Sequence, residues 1–169
     1  MIYPIVKFGD PVLEKPAAPV TVFDDELKKL VEDMFESMYA AHGVGLAAPQ
    51  IGISKRLAVV DISFREDPNA KLVLVNPEII HTEGRHSQNE GCLSVPEFRE
   101  LVTRATKVTV RAQDIDGKVF EKTGEDLLAR AFLHEMDHLN GKLYMSHLSA
   151  LKRDLIKRKI RKLMKAGQW

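Results

Sequence analysis

The chain has 169 residues, 44% hydrophobic and 29% charged, enough for one sizeable buried core and too few for two. Its single cysteine excludes an intrachain disulfide, its net charge of +1 excludes a global attraction to nucleic acid, and no apolar run approaches the roughly 18 residues of a membrane span. The opening MIYPIVKFGDPVLEKP is broken by prolines and charges before an apolar targeting core can form, so the expectation is one cytoplasmic domain spanning residues 1–169, with no DNA or membrane partner.

In chain order, Phe23-Asp24-Asp25 offers a helix N-cap, and Leu27, Leu30, Val31, Met34, Phe35 and Met38 then recur at three- and four-residue steps. A helix ending near Ala41 is predicted. The loop HGVGLAAPQIG follows, where glycines permit a close backbone approach and Pro49 blocks helix continuation. Strand-like runs come next, at Leu57 to Ile62, Leu72 to Val75 and Val108 to Ala112, the last joined through Asp116-Gly117 to Val119-Phe120 as a hairpin. Thr123-Gly124-Glu125-Asp126 resembles a capping box opening a helix that ends at Asn140-Gly141. From about 148 to 165, Leu148, Leu151, Leu155, Ile156, Ile160, Leu163 and Met164 form an apolar stripe on a predicted C-terminal amphipathic helix. Its other face is cationic, with eight Lys or Arg against one acid, Asp154, after residue 150. Such a ridge reads either as a solvated face or as a contact for RNA or the ribosome. The expected class is α+β, with antiparallel sheets packed around a central helix and helices at the N- and C-terminal ends.

That central helix carries His134-Glu135-Met136-Asp137-His138. Residues four apart share a helix face, so both imidazoles can bind one ion, and the glutamate beside the first can reach a water on it. A catalytic site of this kind usually has a third protein ligand. No glutamate occurs after Glu135, Tyr144 stands where an extended HExxHxxGxxH pattern needs histidine, and His147 comes three residues later. Spacing alone leaves Asp154 open, although an intrahelical salt bridge in the basic helix explains it more simply. Upstream, Cys92 in QNEGCLSVP is the best donor, because thiolate binds Zn and Fe(II) strongly. His42, His81 and His86 read as polar surface residues.

Three stretches, GVGLAAPQ (Gly43 to Gln50), EGCLS (Glu90 to Ser94) and HEMDH (His134 to His138), resemble in order and approximate spacing the three signature motifs of peptide deformylases, and the resemblance extends over nearly the whole chain. It implies hydrolysis of the N-formyl group from the N-terminal formylmethionine of nascent bacterial proteins, releasing formate. It also implies that Cys92, His134 and His138 bind one divalent metal, natively Fe(II), with Zn, Ni or Co able to substitute. Hydroxide on that metal would attack the formyl carbonyl, with Glu135 as general acid and base and with the Gln50 side chain and the Leu93 backbone N–H as oxyanion donors. Gly43, Val44 and Gly45 would line the path of the peptide backbone, and Leu127 and Arg130 the pocket for the methionine side chain. Bacterial members are similar in docking on the ribosome through a C-terminal helix.

Arg130 departs from the apolar residue the family usually places there. The expectation is a snorkelling side chain whose stem covers the thioether while its guanidinium reaches solvent, with Gln88 adding polarity at the pocket mouth and apolar selectivity weakened. Glu90, Asp137 and Arg104 are candidates to orient the ligating imidazoles, and the sequence does not choose among them.

Overall fold

A computed structural model describes residues 1–169 and places three α-helices and seven strands in the chain. Helix α1 (Asp25–Ala40) begins as expected: the Asp24 side chain accepts the Leu27 N–H at 3.0 Å, and Leu27, Val31, Met34, Phe35 and Met38 are buried. Strands β1 (Gly45–Ala47) and β2 (Leu57–Val60) take the buried face of α1, and β2 is buried at every residue. Strand β3 (Leu72–Glu83) runs eight residues beyond the predicted Val75. It continues past Pro77 because Asn76 takes φ 49° and its side chain bonds the Val20 N–H, the Val20 carbonyl and Gln113, so the proline sits at a bulge where the ladder shifts register.

Strands β4 (His86–Cys92) and β5 (Val95–Arg104) pair as a separate two-stranded sheet absent from the sequence reading. Most of β4 is exposed polar residues, so no hydrophobic alternation announced it. Strands β6 (Lys107–Gln113) and β7 (Val119–Glu125) form the expected hairpin and complete an antiparallel sheet of order β1-β2-β3-β6-β7.

The capping box is corrected. Thr123, Gly124 and Glu125 pair with Thr109, Val108 and Lys107 as the end of β7, and helix α2 starts only at Leu127, after an Asp126 at φ 52° whose side chain makes no cap hydrogen bond. A full ladder partner outcompeted the local cap. Helix α2 (Leu127–Leu139) lies on the five-stranded sheet and buries Ala129, Phe132, Met136 and Leu139 against Ala58, Val60, Leu74, Val108 and Val110. It stops at Gly141 (φ 76°), where a side chain would collide with the backbone of Glu14 and Lys15.

Helix α3 (Ala150–Lys165) is capped by Ser149 and docks on the β4–β5 sheet side through Ile156 and Ile160, beside Val95, Val102 and Tyr144. The predicted apolar stripe is only partly used: Leu151 is 71% exposed and Leu155 44%, because the helix buries only the single line of Ile156 and Ile160. The α+β architecture, with antiparallel sheets around a central helix, is as expected.

Candidate active site

Three donor side chains from two elements meet at the C-terminal half of α2. His134 and His138 lie one turn apart, and Cys92 closes β4 opposite them. Cys92 Sγ is 3.3 Å from His138 Nε2, which is 3.1 Å from His134 Nε2. The three donor atoms all lie within 4.8 Å of one another. His134 Nδ1–H donates to Glu90 Oε2 at 2.7 Å, which turns the lone pair of Nε2 toward the cluster. Two imidazole lone pairs and a sulfur held this closely repel one another unless a cation lies among them. One soft sulfur and two imidazole nitrogens suit a divalent transition metal, and three protein ligands leave a position open. The residues therefore fit the group that the motifs imply.

The electrostatics show the same demand for positive charge among these groups. Burial pushes the Cys92 thiol up, but the neighbouring His138 and His134 outweigh it and bring its pKa down to about 5. For His134, burial opposes the charged form, and the Cys92 sulfur and Glu90 overcome it, so its pKa rises well above the ordinary value. Glu135 is raised, chiefly by burial. It is 3% exposed, and its Oε1 has no hydrogen-bond partner. A buried carboxylate oxygen left free costs stability, and it stands here beside the donor cluster. Gly45 packs directly against that carboxyl; a Cβ there would overlap it. Gln50 is 1% exposed, its Oε1 accepts the Ala47 N–H at 3.0 Å, and its Nε2 donates to Ser94 Oγ at 3.3 Å and lies 3.7 Å from Cys92 Sγ.

These groups line one cavity of about 660 Å³, together with Gly43, Val44, Gly45, Leu93, Leu127 and Arg130. Every residue singled out for substrate or catalysis in the sequence, Gln88 excepted, is thus on its wall. His138 lies just behind it, 1% exposed. Gln88 is not on that wall; it is an exposed residue of β4 opposite Val102.

Arg130 requires the main correction. Its guanidinium turns away from solvent: Nη1 donates to Glu90 Oε1 (2.9 Å) and the Val102 carbonyl (3.0 Å), and Nη2 to the His86 carbonyl (2.9 Å). Arg104 grips the same carboxylate through Nε (3.0 Å) and Nη2 (2.6 Å) and reaches Asp137 Oδ2 through Nη1 (2.7 Å); Asp137 in turn pairs with His147. Burial opposes the Glu90 charge, but His134 and Arg104 more than compensate and hold its pKa well below the usual carboxylate range. Of the three candidates, Glu90 touches His134 directly, and Arg104 and Asp137 act around it. Snorkelling failed as an expectation because a buried acid offers a guanidinium more than partial hydration does.

The sequence reading missed Phe64, Phe98 and Arg99 on the cavity wall. Phe64 could have been noticed as the lone aromatic of a mostly polar loop; the other two lie on the strand that the sequence did not reveal.

Comparison with known proteins agrees with the motifs. The family described as polypeptide deformylase matches residues 2–154. A peptide deformylase of Acidobacterium capsulatum is 65% identical over 169 residues, covering 100% of this chain and 99% of that protein. The crystal structure of a peptide deformylase from Legionella pneumophila superposes with a TM-score of 0.91 at 50% identity, covering 99% of this chain and 98% of that one. That of the peptide deformylase from Thermus thermophilus does so at 0.88 and 42%, with 99% and 98% covered. With its signature stretches gathered at one cavity and its fold shared end to end, this chain belongs to the polypeptide deformylase family of enzymes.

Proposed function

We propose that the chain hydrolyses the N-formyl group of N-terminal formylmethionine on newly synthesised proteins, with Cys92, His134 and His138 holding one divalent metal ion, natively Fe(II). The observation that carries this reading is the unpartnered Glu135 Oε1 beside a cysteine-and-two-histidine cluster at a cavity of about 660 Å³. When bound, the metal supplies Lewis acidity, lowering the pKa of a water and polarising the formyl oxygen. Glu135, with its affinity for a proton raised by burial, takes the proton from the water and delivers one to the departing amine nitrogen. The formamide C–N bond breaks, the water oxygen stays on the carbon as formate, and the peptide leaves with a free amine. Gln50, fixed through its Oε1, presents its Nε2–H beside the sulfur, where it and the Leu93 N–H stabilise the negative charge developing on the formyl oxygen. Gly43, Val44 and Gly45 guide the peptide backbone. Leu127 and the methylenes of Arg130 contact the methionine side chain; with the guanidinium bound to Glu90, selectivity for an apolar side chain is retained.

The test is formate release from a formyl-Met peptide by anaerobically purified, metal-analysed protein, beside an unblocked peptide. We expect formate from the first only. Cys92→Ser should lose most of its metal and its turnover together. A metal-loaded protein that releases no formate would overturn the reading.

Residues 1–169 act as one catalytic domain whose basic α3 docks on the ribosome of a bacterial cytoplasm. Arg158, Arg161 and Lys162 are exposed on α3, and no helix is long and apolar enough to cross a membrane. Because Ile156 and Ile160 belong to the core, removing α3 would confuse docking with folding. Charge reversal at Arg158, Arg161 and Lys162 is the cleaner measurement. It should abolish cosedimentation with ribosomes at physiological salt and leave turnover of free peptides unchanged; persistent cosedimentation would assign the ridge to solvation.

A further inference from the structure

The loop after β2, residues 61–71, holds two adjacent non-glycine residues in the left-handed region, Phe64 at φ 55° and Arg65 at φ 73°. Such a conformation is costly for bulky side chains and persists only where its surroundings enforce it. Asp61 enforces it here. It is 0% exposed, its N–H donates to the Val44 carbonyl at 2.8 Å, and its carboxylate accepts the Ser63 N–H (2.9 Å), the Ser63 hydroxyl (2.6 Å) and the Tyr39 hydroxyl (2.5 Å). The Arg65 guanidinium then lies 4.5 Å over the Tyr39 ring. What this arrangement holds out is Phe64, 62% exposed on the wall of the active-site cavity that His42, Gly43 and Val44 also line.

Burying Phe64 would be worth about 1.5–3 kcal/mol, yet the loop spends buried hydrogen bonds on displaying it. The position indicates a use. Gly45 abuts Glu135, where bond cleavage takes place, and the chain runs from there back through Val44, to which Asp61 ties the Phe64 loop, along the same cavity wall. β1 is also the edge of its sheet and leaves one side unpaired. An extended peptide advances about 3.3 Å per residue, so one fixed at Glu135 by its formyl end reaches the ring one or two residues after its methionine.

We propose that Phe64 is a specificity-determining residue that contacts apolar or aromatic side chains at the first or second position after the formylmethionine. This rests on the deformylase reading above and adds a preference among the residues that come after the methionine. The test is steady-state kinetics on formyl-Met peptides carrying Phe, Leu, Ser or Asp at these positions, with wild type, Phe64→Ala and Phe64→Trp. Phe64→Ala should raise KM about 2-fold to 10-fold for the Phe and Leu peptides, leave the Ser and Asp peptides unchanged, and leave kcat unchanged throughout. Phe64→Trp should keep the wild-type preference. A uniform change across all peptides, or none for Phe64→Ala, would overturn the proposal. Absence of formate from every peptide with wild-type protein would instead overturn the deformylase reading itself.

Discussion

Glu135→Gln should lower kcat for formyl-Met peptides by about 10²-fold to 10⁴-fold, the usual worth of a positioned acid–base group, while metal content stays at the wild-type level. The variant keeps the size and shape of the side chain, so the packing of Gly45 against it survives. It removes only the capacity to take and return a proton. Glu135 is separate from the sulfur-and-imidazole cluster, so none of the proposed metal ligands is touched. The measurement is formate release beside metal analysis of the same sample. Full turnover by the glutamine variant would remove Glu135 from the mechanism, and loss of metal would make it a ligand.

Arg130→Met is expected to destabilise the fold by about 3 kcal/mol and to weaken metal binding about 10-fold to 100-fold. Methionine retains an unbranched stem against the cavity but abandons three acceptors: Glu90 Oε1 and the carbonyls of Val102 and His86. Arg104 and His134 still share the Glu90 charge, which keeps the loss at the lower end for a broken buried pair. The metal effect arises because Glu90 fixes the ring of His134. Arg130→Lys should fall between, since a single ammonium cannot match the guanidinium fork. Urea melts of the apo-protein read the first effect and chelator competition the second. Wild-type values in both would show that Arg130 contributes only its stem. The preference for formyl-Met over formyl-Ala should survive in either case, which separates this role from a charged wall in the substrate pocket.

Where structure is set by neighbours in the chain, the sequence was legible. The α1 stripe from Leu27 to Met38 and the one-turn spacing of His134 and His138 are local facts of helix geometry, and both hold. The β6–β7 hairpin was readable through Asp116-Gly117. Strands β4 and β5 were not: Ser87, Gln88 and Asn89 of β4 satisfy their backbones by pairing and bury little, and β5 has its ladder partner only in that strand. The same limit hid the length of β7. Thr123 to Glu125 suit a cap as well as a ladder, and only the presence of β6 alongside decides between them.

The site divides along the same line. The sequence by itself determined which groups are available for the proposed chemistry: one thiol, two imidazoles at helical spacing with a glutamate between, and a glycine-rich loop, in an order resembling one family. It could not determine which way Arg130 points, because its partner Glu90 lies 40 residues away and is brought near only when β4 packs on α2. Nor could it show Phe64 at the cavity wall, since that depends on a buried aspartate bonded to Tyr39 of helix α1. Side-chain chemistry and helical spacing are written locally. The direction of a long charged side chain is set by which buried counter-charge it meets, and that is decided only when separate segments of the chain pack together.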